Sequence, residues 1–476
     1  MNTIRQAFCL FLVASSFSAL AQKGYHIRFH ISGLKDTTAY LGYFINESTY
    51  IKDTADVNGR GEFAFAGANT LPQGVYMLVL NKTKQFEFLV GADQDFALAT
   101  STADYVQDMN VTGDHDNSLF FESIFFNIAR NKEAEPFVRM LKDSTLKDAD
   151  KKDARESLSR INDKAVAYHG ELIRQNPGTL TARMIKATEP VRIPDPPKRP
   201  DGTIDSTFQL KWYRQHFFDN LDLADDALLR LSRPLYRDKI DEFLDKLYAP
   251  QADTITRAIG MIVEKARKNP ETYKFAVFLC LRKYQDPAIM GLDEVFVNLY
   301  DRYFATGEMD FWASESIKKN FKQLADRYRK SLIGQTGDNL VMQDSNFKPR
   351  ALYDIKRKYS ILYIFNPDCG HCKIETPKLV NFYSKTKFDV EVFAVSTDSS
   401  MAKMRKYIKD MQMRWITVNG PRSYVGPYTD HYDAMETPML YVLDERKKII
   451  GKKVPVDQLE YFLTQYERVE KLRERL

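Results

Sequence analysis

The sequence predicts a multidomain chain with an N-terminal all-β, sandwich-like module, an α-helical middle domain and a C-terminal α/β fold. Three observations lead there. Short alternating or aromatic-rich runs fill residues 22–113. From 114 to 332 the apolar spacing becomes helical. From 333 to 476 β-type runs alternate with helical ones. The chain has 476 residues, 44% of them hydrophobic and 28% charged. That is enough apolar material for cores in about two to four domains.

In the β module the runs are His26–Ile31, Ala39–Phe44, Glu62–Phe65, Val75–Leu80 and Phe86–Val90. Gly33, Asn58-Gly59, Gly67, Pro72-Gln73-Gly74 and Asn81 supply the turns between them. Short strands at this spacing suit a small sandwich or barrel. His26 and His30 share one strand face, and with no third ligand in phase they read as ordinary strand histidines.

In the middle domain Asn117 is placed to cap a helix that begins with Leu119-Phe120-Phe121. Residues 144–175 are charged, with apolar residues at wider spacing, and predict a long exposed helix, one arm of a hairpin. Residues 186–206 carry Pro190, Pro194, Pro196, Pro197, Pro200 and Asp201-Gly202, which no helix continues through. Helices resume over 207–220, 233–248, 254–267, 270–284, 292–305 and 312–330. The aromatics around Trp212 and His216 fall at helical spacing and read as core. Cys280 lies in an apolar helix and reads as a buried, inert thiol.

The chemistry concentrates in the C-terminal part. An apolar run over 359–366 ends in a polar turn, followed by Cys369-Gly370-His371-Cys372 and a helical segment through Lys385. A strand-to-helix turn puts Cys369 at a helix N-terminus, where free N–H groups and the helix dipole stabilise a thiolate. Cys372 lies one turn further in. Further signals are a strand over 389–396, a helix from 398, a short strand over 415–418, a hairpin over 437–450 turning at Asp444, and a closing helix over 456–472.

Net charge is +5, too weak for this length to imply a nucleic-acid partner or an anionic membrane surface. No basic block with interleaved aromatics and no Gly-rich phosphate loop is present. Residues 1–21 read as a secretory signal: Arg5 leads an apolar core from Ala7 to Ala19, and Ala19-Leu20-Ala21 is a small-x-small cleavage site. The apolar run falls short of the roughly 20 residues of a spanning helix. The mature chain would keep Cys280, Cys369 and Cys372. So few cysteines do not staple an exported protein, and a zinc site would need two more ligands around the C-x-x-C pair. Redox use of the pair is therefore expected, with no metal and no cofactor.

Three resemblances extend this reading. The stretch Asp53–Phe65 followed by Leu71–Tyr76 resembles a domain of unknown function found at the N-terminus of exported thioredoxin-like proteins of Gram-negative bacteria. The stretch Trp212–Leu223 resembles a second domain of unknown function, often set between that module and a thioredoxin-like domain. The C-terminal order of elements, the C-x-x-C pair, Pro377 five residues after it and Thr437-Pro438 before the next-to-last strand resemble the exported TlpA/ResA-like branch of the thioredoxin superfamily.

That last resemblance implies a thiol–disulfide oxidoreductase. Cys369 would attack a substrate disulfide and Cys372 would resolve the mixed disulfide. Pro438 would be cis, leaving the backbone of Thr437 to pair with an extended substrate segment. Relatives of this branch usually work as reductants, which implies disulfide-containing proteins of the periplasm or cell envelope as partners and a membrane thiol–disulfide reductase as electron donor. An oxidase or isomerase, or an envelope scaffold carrying an accessory redox domain, are the alternatives, and a homodimer is open. Three residues are expected to modulate the site. The imidazolium of His371 can stabilise the Cys369 thiolate. Asp368 replaces the family's usual tryptophan and opposes the thiolate. Tyr363 replaces a buried acid, for which Glu375 could substitute.

Overall fold

The computed structural model describes residues 24–198 and 200–473; the expected signal peptide, residues 1–21, lies outside them. The chain divides into two compact units, one up to Asp238 and one from Lys239 onward.

The first unit opens with eight strands: β1 (Tyr25–Ser32), β2 (Thr37–Ile45), β3 (Ser48–Val57), β4 (Glu62–Gly67), β5 (Gly74–Leu80), β6 (Thr83–Val90), β7 (Asp95–Ser101) and β8 (Asn110–Thr112). They form two four-stranded sheets, ordered β4-β1-β7-β8 and β3-β2-β5-β6. Alternation on β1 buries Tyr25, Ile27, Phe29 and Ile31 and turns His26 and His30 outward. These side chains share one core with Leu78, Phe86 and Phe88 of the other sheet, and Phe29 stacks on Phe63 with ring centroids 4.9 Å apart. The sequence reading missed β3, β7 and β8. Most of β3 is exposed on both faces, so it lacks the alternation that marks a half-buried strand.

After the strands come helices α1 (His115–Lys142), α2 (Asp148–Gln175), α3 (Leu180–Thr188) and α4 (Phe208–His216). Asp114, not Asn117, caps α1, accepting from the N–H groups of Asp116 and Asn117. Asn117 is instead fully buried in the first turn. Its Oδ1 accepts from Leu89 N–H and its Nδ2 donates to Leu89 C=O, both at 2.8 Å. A capping-type side chain is thus used to fasten α1 to β6. Helices α1 and α2 form the expected hairpin, with Phe126 stacked on Tyr168 at 3.9 Å and Lys164 paired to Glu133 at 3.0 Å. His216 stacks on Trp212 and its Nδ1 lies 2.6 Å from Asp219 Oδ2.

The second unit starts with helices: α5 (Leu235–Leu247), in which the division falls, α6 (Ala252–Ala266), α7 (Pro270–Lys283), α8 (Asp293–Leu299) and α9 (Glu315–Arg329). Cys280 is buried in α7, and burial pushes its thiol up to about 12. An α/β region follows: β9 (Val341–Asp344), β10 (Pro349–Ala351), β11 (Tyr359–Phe365), α10 (Gly370–Lys385), β12 (Val390–Ser396), α11 (Met401–Asp410), β13 (Ile416–Ser423), β14 (Met439–Leu443), β15 (Ile449–Lys452) and α12 (Leu459–Arg473). The seven strands run in the order β10-β9-β13-β12-β11-β14-β15. Strand β11 is buried at every position, parallel to β12 and antiparallel to β14. Tyr359, Ile361, Tyr363 and Phe365 face a core shared with Cys372, Leu379, Leu459 and Leu463. Leu362 and Ile364 face a second core with Phe393, Tyr432 and Tyr441. The sequence reading missed β9 and β10, which are too short to carry a period.

Polar groups in the interior join the helices of this unit to its sheet. Lys452 Nζ of β15 lies 2.7 Å from Asp293 Oδ2 at the start of α8, with side chains only 5% and 7% exposed. Ser331 Oγ accepts from Asp433 N–H at 3.4 Å and from Tyr441 O–H at 3.3 Å. Arg327 of α9 pairs with Asp433 at 3.1 Å. Asp293→Ala would strand the Lys452 ammonium in the interior. The expected loss is about 3–5 kcal/mol, read as a lower urea midpoint, and Asp293→Leu with Lys452→Met should recover most of it. A single variant as stable as the parent would refute this account of the pair.

Candidate active site

The central strand β11 delivers the chain into a three-residue turn that aims Cys369. Asn366 organises that turn: its Oδ1 accepts from Asp368 N–H at 2.8 Å and its C=O from Cys369 N–H at 3.1 Å. Cys369 is the N-cap of α10 in extended backbone geometry, half-buried, with its thiol at the open end of the helix. Cys372, one turn in, is fully buried. Both are free thiols.

The two sulfurs therefore meet opposite environments. The backbone N–H of Cys372 stabilises the Cys369 thiolate most, helped by the Cys372 thiol and the N–H of His371, and holds Cys369 below the ordinary thiol value of 9.0. Burial instead pushes Cys372 up to about 11. Across the site, Cys369 Sγ donates to the carbonyl of Thr437 at 3.3 Å. The Thr437–Pro438 peptide is cis and leads into β14.

The modulators expected from sequence are placed as follows. His371 is exposed, and its backbone rather than its ring is aimed at the thiolate. Asp368 points to solvent and pairs with Lys403 of α11 at 2.6 Å. Lys403 also pairs with Asp398 at 3.0 Å, and Asp398 accepts from Ser400 N–H at 2.7 Å. The ammonium offsets the charge that Asp368 brings beside Cys369. Sequence reasoning missed Lys403 because it lies 35 residues from Asp368 and nothing local links them. Glu375 is three-quarters buried and pairs with Lys378 at 2.6 Å.

Tyr363, on β11, takes part in a chain of buried hydroxyls. Its oxygen lies 2.9 Å from Thr376 Oγ1, which lies 2.8 Å from Tyr407 O–H. Burial raises both phenols, Tyr407 to about 12, so they stay neutral and offer hydrogen bonds rather than charge. A cavity of about 310 Å³ reaches Tyr363 from the surface, between Glu375, Pro438 and Val456. Among the described residues no group of three or more His, Cys, Asp or Glu side chains is placed to hold a metal ion. No described helix is long and apolar enough to cross a membrane.

Comparison with known proteins fits this geometry. Residues 357–449 match the thioredoxin-like family Thioredoxin_8. Residues 173–326 and 25–120 match two domains of unknown function, DUF5106 and DUF4369. The chain is 27% identical over 118 residues to the thiol-disulfide oxidoreductase ResA of Bacillus subtilis (strain 168); the match covers 25% of this chain and 64% of that protein. It thus spans a little under two thirds of the curated relative. Among solved structures it is similar to a domain of possible thiol-disulfide isomerase from Cytophaga hutchinsonii, with 35% identity, 30% of this chain and 97% of that chain covered, and a TM-score of 0.28. It is also similar to a thioredoxin-like protein from Bacteroides caccae, with 17% identity, 58% and 99% covered, and a TM-score of 0.43. The seven-stranded sheet, the cysteine pair at the start of α10 and the match over 357–449 agree: the chain carries a thioredoxin-like C-terminal domain behind two domains of unknown function.

Proposed function

We propose that this protein is an exported thiol–disulfide oxidoreductase that reduces disulfides of envelope proteins through Cys369 and Cys372. The observation that carries the reading is the asymmetry of the pair: a stabilised, accessible thiol at the helix start and a buried, protonated one behind it. The match to ResA supports the activity. The N-terminal segment over residues 1–21 supports export.

The chemistry follows in two balanced steps. The Cys369 thiolate attacks one sulfur of a partner disulfide, so a Cys369–partner bond forms and the partner's second sulfur leaves as a thiolate that takes up a proton. Cys372 then gives up its proton, and its thiolate attacks Cys369 Sγ. The Cys369–Cys372 bond forms, and the partner's first sulfur leaves. Two electrons pass to the partner, and a membrane thiol donor returns them to the pair. The Thr437 carbonyl lies beside Cys369, and in this reading it accepts from the backbone of an extended partner segment. The proton of Cys372 has a high barrier to leave because burial favours the thiol. Glu375 lines the cavity that reaches Tyr363 and is the carboxylate assigned to exchange that proton with solvent.

Three outcomes test the reading. Cys372→Ser should trap envelope partners as mixed disulfides on Cys369, and Cys369→Ser should abolish disulfide reduction. If purified protein reduces no disulfide yet binds a partner equally well as Cys369→Ser, it is a scaffold. If the pair is found oxidised in cells whether or not a membrane reductant is present, it is an oxidase.

The attack rate should rise with pH and level off below the ordinary thiol value of 9.0, because the thiolate is the attacking form. Lys403→Ala removes a positive charge, and Asp368→Asn a negative one. An exposed unit charge at this range is worth about 0.5 kcal/mol in water, or about 0.4 of a pH unit. The midpoint should move up in Lys403→Ala and down in Asp368→Asn, measured by thiolate absorbance against pH. Shifts in the same direction would sink the assignment.

Glu375→Gln should prolong the mixed disulfide by about tenfold or more in stopped-flow kinetics while leaving its formation rate unchanged. An unchanged lifetime removes Glu375 from the mechanism.

A further inference from the structure

The loop that holds Thr437 beside Cys369 runs between two troughs. One is the cavity that reaches Tyr363. The other, about 400 Å³, begins at Met435 and Glu436 on the same loop, and its far wall lies outside the α/β region. Arg282 and Gln285 at the end of α7, with Leu324 and Arg327 of α9, build that wall. Glu436, Met439 and Lys453 line both troughs, so the two adjoin each other on either side of the loop that carries Thr437.

We infer that this second trough seats the extended polypeptide flanking a partner's disulfide, and that Arg282 selects partners with an acidic side chain there. The inference rests on the thiol–disulfide exchange proposed above. The lining carries three cations, Arg282, Arg327 and Lys453, and three carboxylates, Asp286, Asp433 and Glu436. A balanced lining gives an anionic headgroup or a nucleic acid no net attraction. A polypeptide, with N–H and C=O groups along its length and side chains of both signs, finds partners throughout.

The pairing within the trough narrows the choice. Arg327 is held by Asp433 at 3.1 Å and Lys453 by Asp286 at 3.4 Å. Arg282 is held by Gln285, and among the described residues no carboxylate pairs with it. A carboxylate arriving on a partner can therefore take the guanidinium without breaking an ion pair. Met435, 68% exposed at the rim, offers the bound segment an apolar contact. The α9 side of the wall is also preorganised, since Arg327 pairs with Asp433 and Ser331, just past the helix, contacts Asp433 and Tyr441.

The test uses short synthetic peptides, each with one cysteine activated as a mixed disulfide. An Asp or a Lys is placed one to four positions before or after that cysteine. Reaction with the full-length reduced protein is followed by release of the activating thiol. The parent should prefer Asp over Lys by about tenfold, on one side of the cysteine only. Arg282→Glu should invert that preference, and Arg282→Gln should erase it should the charge reversal prevent folding. The same preference in parent and variants would overturn the inference while leaving the exchange reading intact. A parent that reacts with no peptide would overturn both.

Discussion

The site depends on one difference in solvation between two sulfurs on the same helix turn. A thiolate at a helix N-cap is stabilised by N–H groups that have no intrahelical partner. A thiol one turn further in, fully covered by the core, is driven the other way by desolvation. The fold imposes both conditions through the placement of α10. Strand β11 is buried at all of its positions, so the helix that follows must pack on the sheet, and the side of its first turn that faces the sheet must be dry. Cys372 falls on that side, and Cys369 is left at the open end. The same strand contributes Tyr363 to the core that covers Cys372, so a neutral hydroxyl chain rather than a charge lies on that side.

The substitutions around the pair make sense as one arrangement. Asp368 beside a nucleophilic thiolate is unfavourable by itself. Lys403 meets it from the first turn of α11 and is shared with Asp398 at the end of the β12 connection. Exposed ion pairs of this kind contribute little to stability. Their consequence is local: they tie the active-site turn to the next connection. The residue that counters Asp368 thus comes from a different element, which is why the effect of Asp368 cannot be assigned from its neighbours in sequence.

Much of the fold was legible in the sequence, and most of the exceptions carry too little pattern to read. The alternation of β1 and the helical spacing of α6 and α7 report burial on one face, the strand–turn–helix around Cys369 begins with an apolar run buried on both, and each lies where expected. Strand β3 has no buried face and β8, β9 and β10 are too short, so none of them carries a period; β7 does alternate and was missed all the same. Asn117 has the composition of a cap, but Asp114 took that position, and the amide of Asn117 satisfies both backbone groups of Leu89. Of the site, Cys369 and Thr437 lie in contact and the Thr437–Pro438 peptide is cis; this juxtaposition was implied by the family resemblance and not by any local pattern. Lys403, Thr376 and Tyr407 did not announce themselves, because their roles arise only from tertiary proximity.

The attachment of α8 to the sheet is constrained by the cost of burying charge. A lysine and an aspartate, both under one tenth exposed, are tolerated in an interior only when they face each other closely. Lys452 ends the edge strand β15, and Asp293 begins α8, so satisfying one charge brings the other's element with it. Ser331 and Arg327 add contacts to Asp433, a few residues before Thr437. The segment that presents Thr437 to Cys369 is thereby anchored on one side by its own strand and on the other by helices that carry no thiol chemistry. In the proposed exchange, a region without reactive groups would then influence which disulfide is attacked, because it helps fix the backbone beside Cys369.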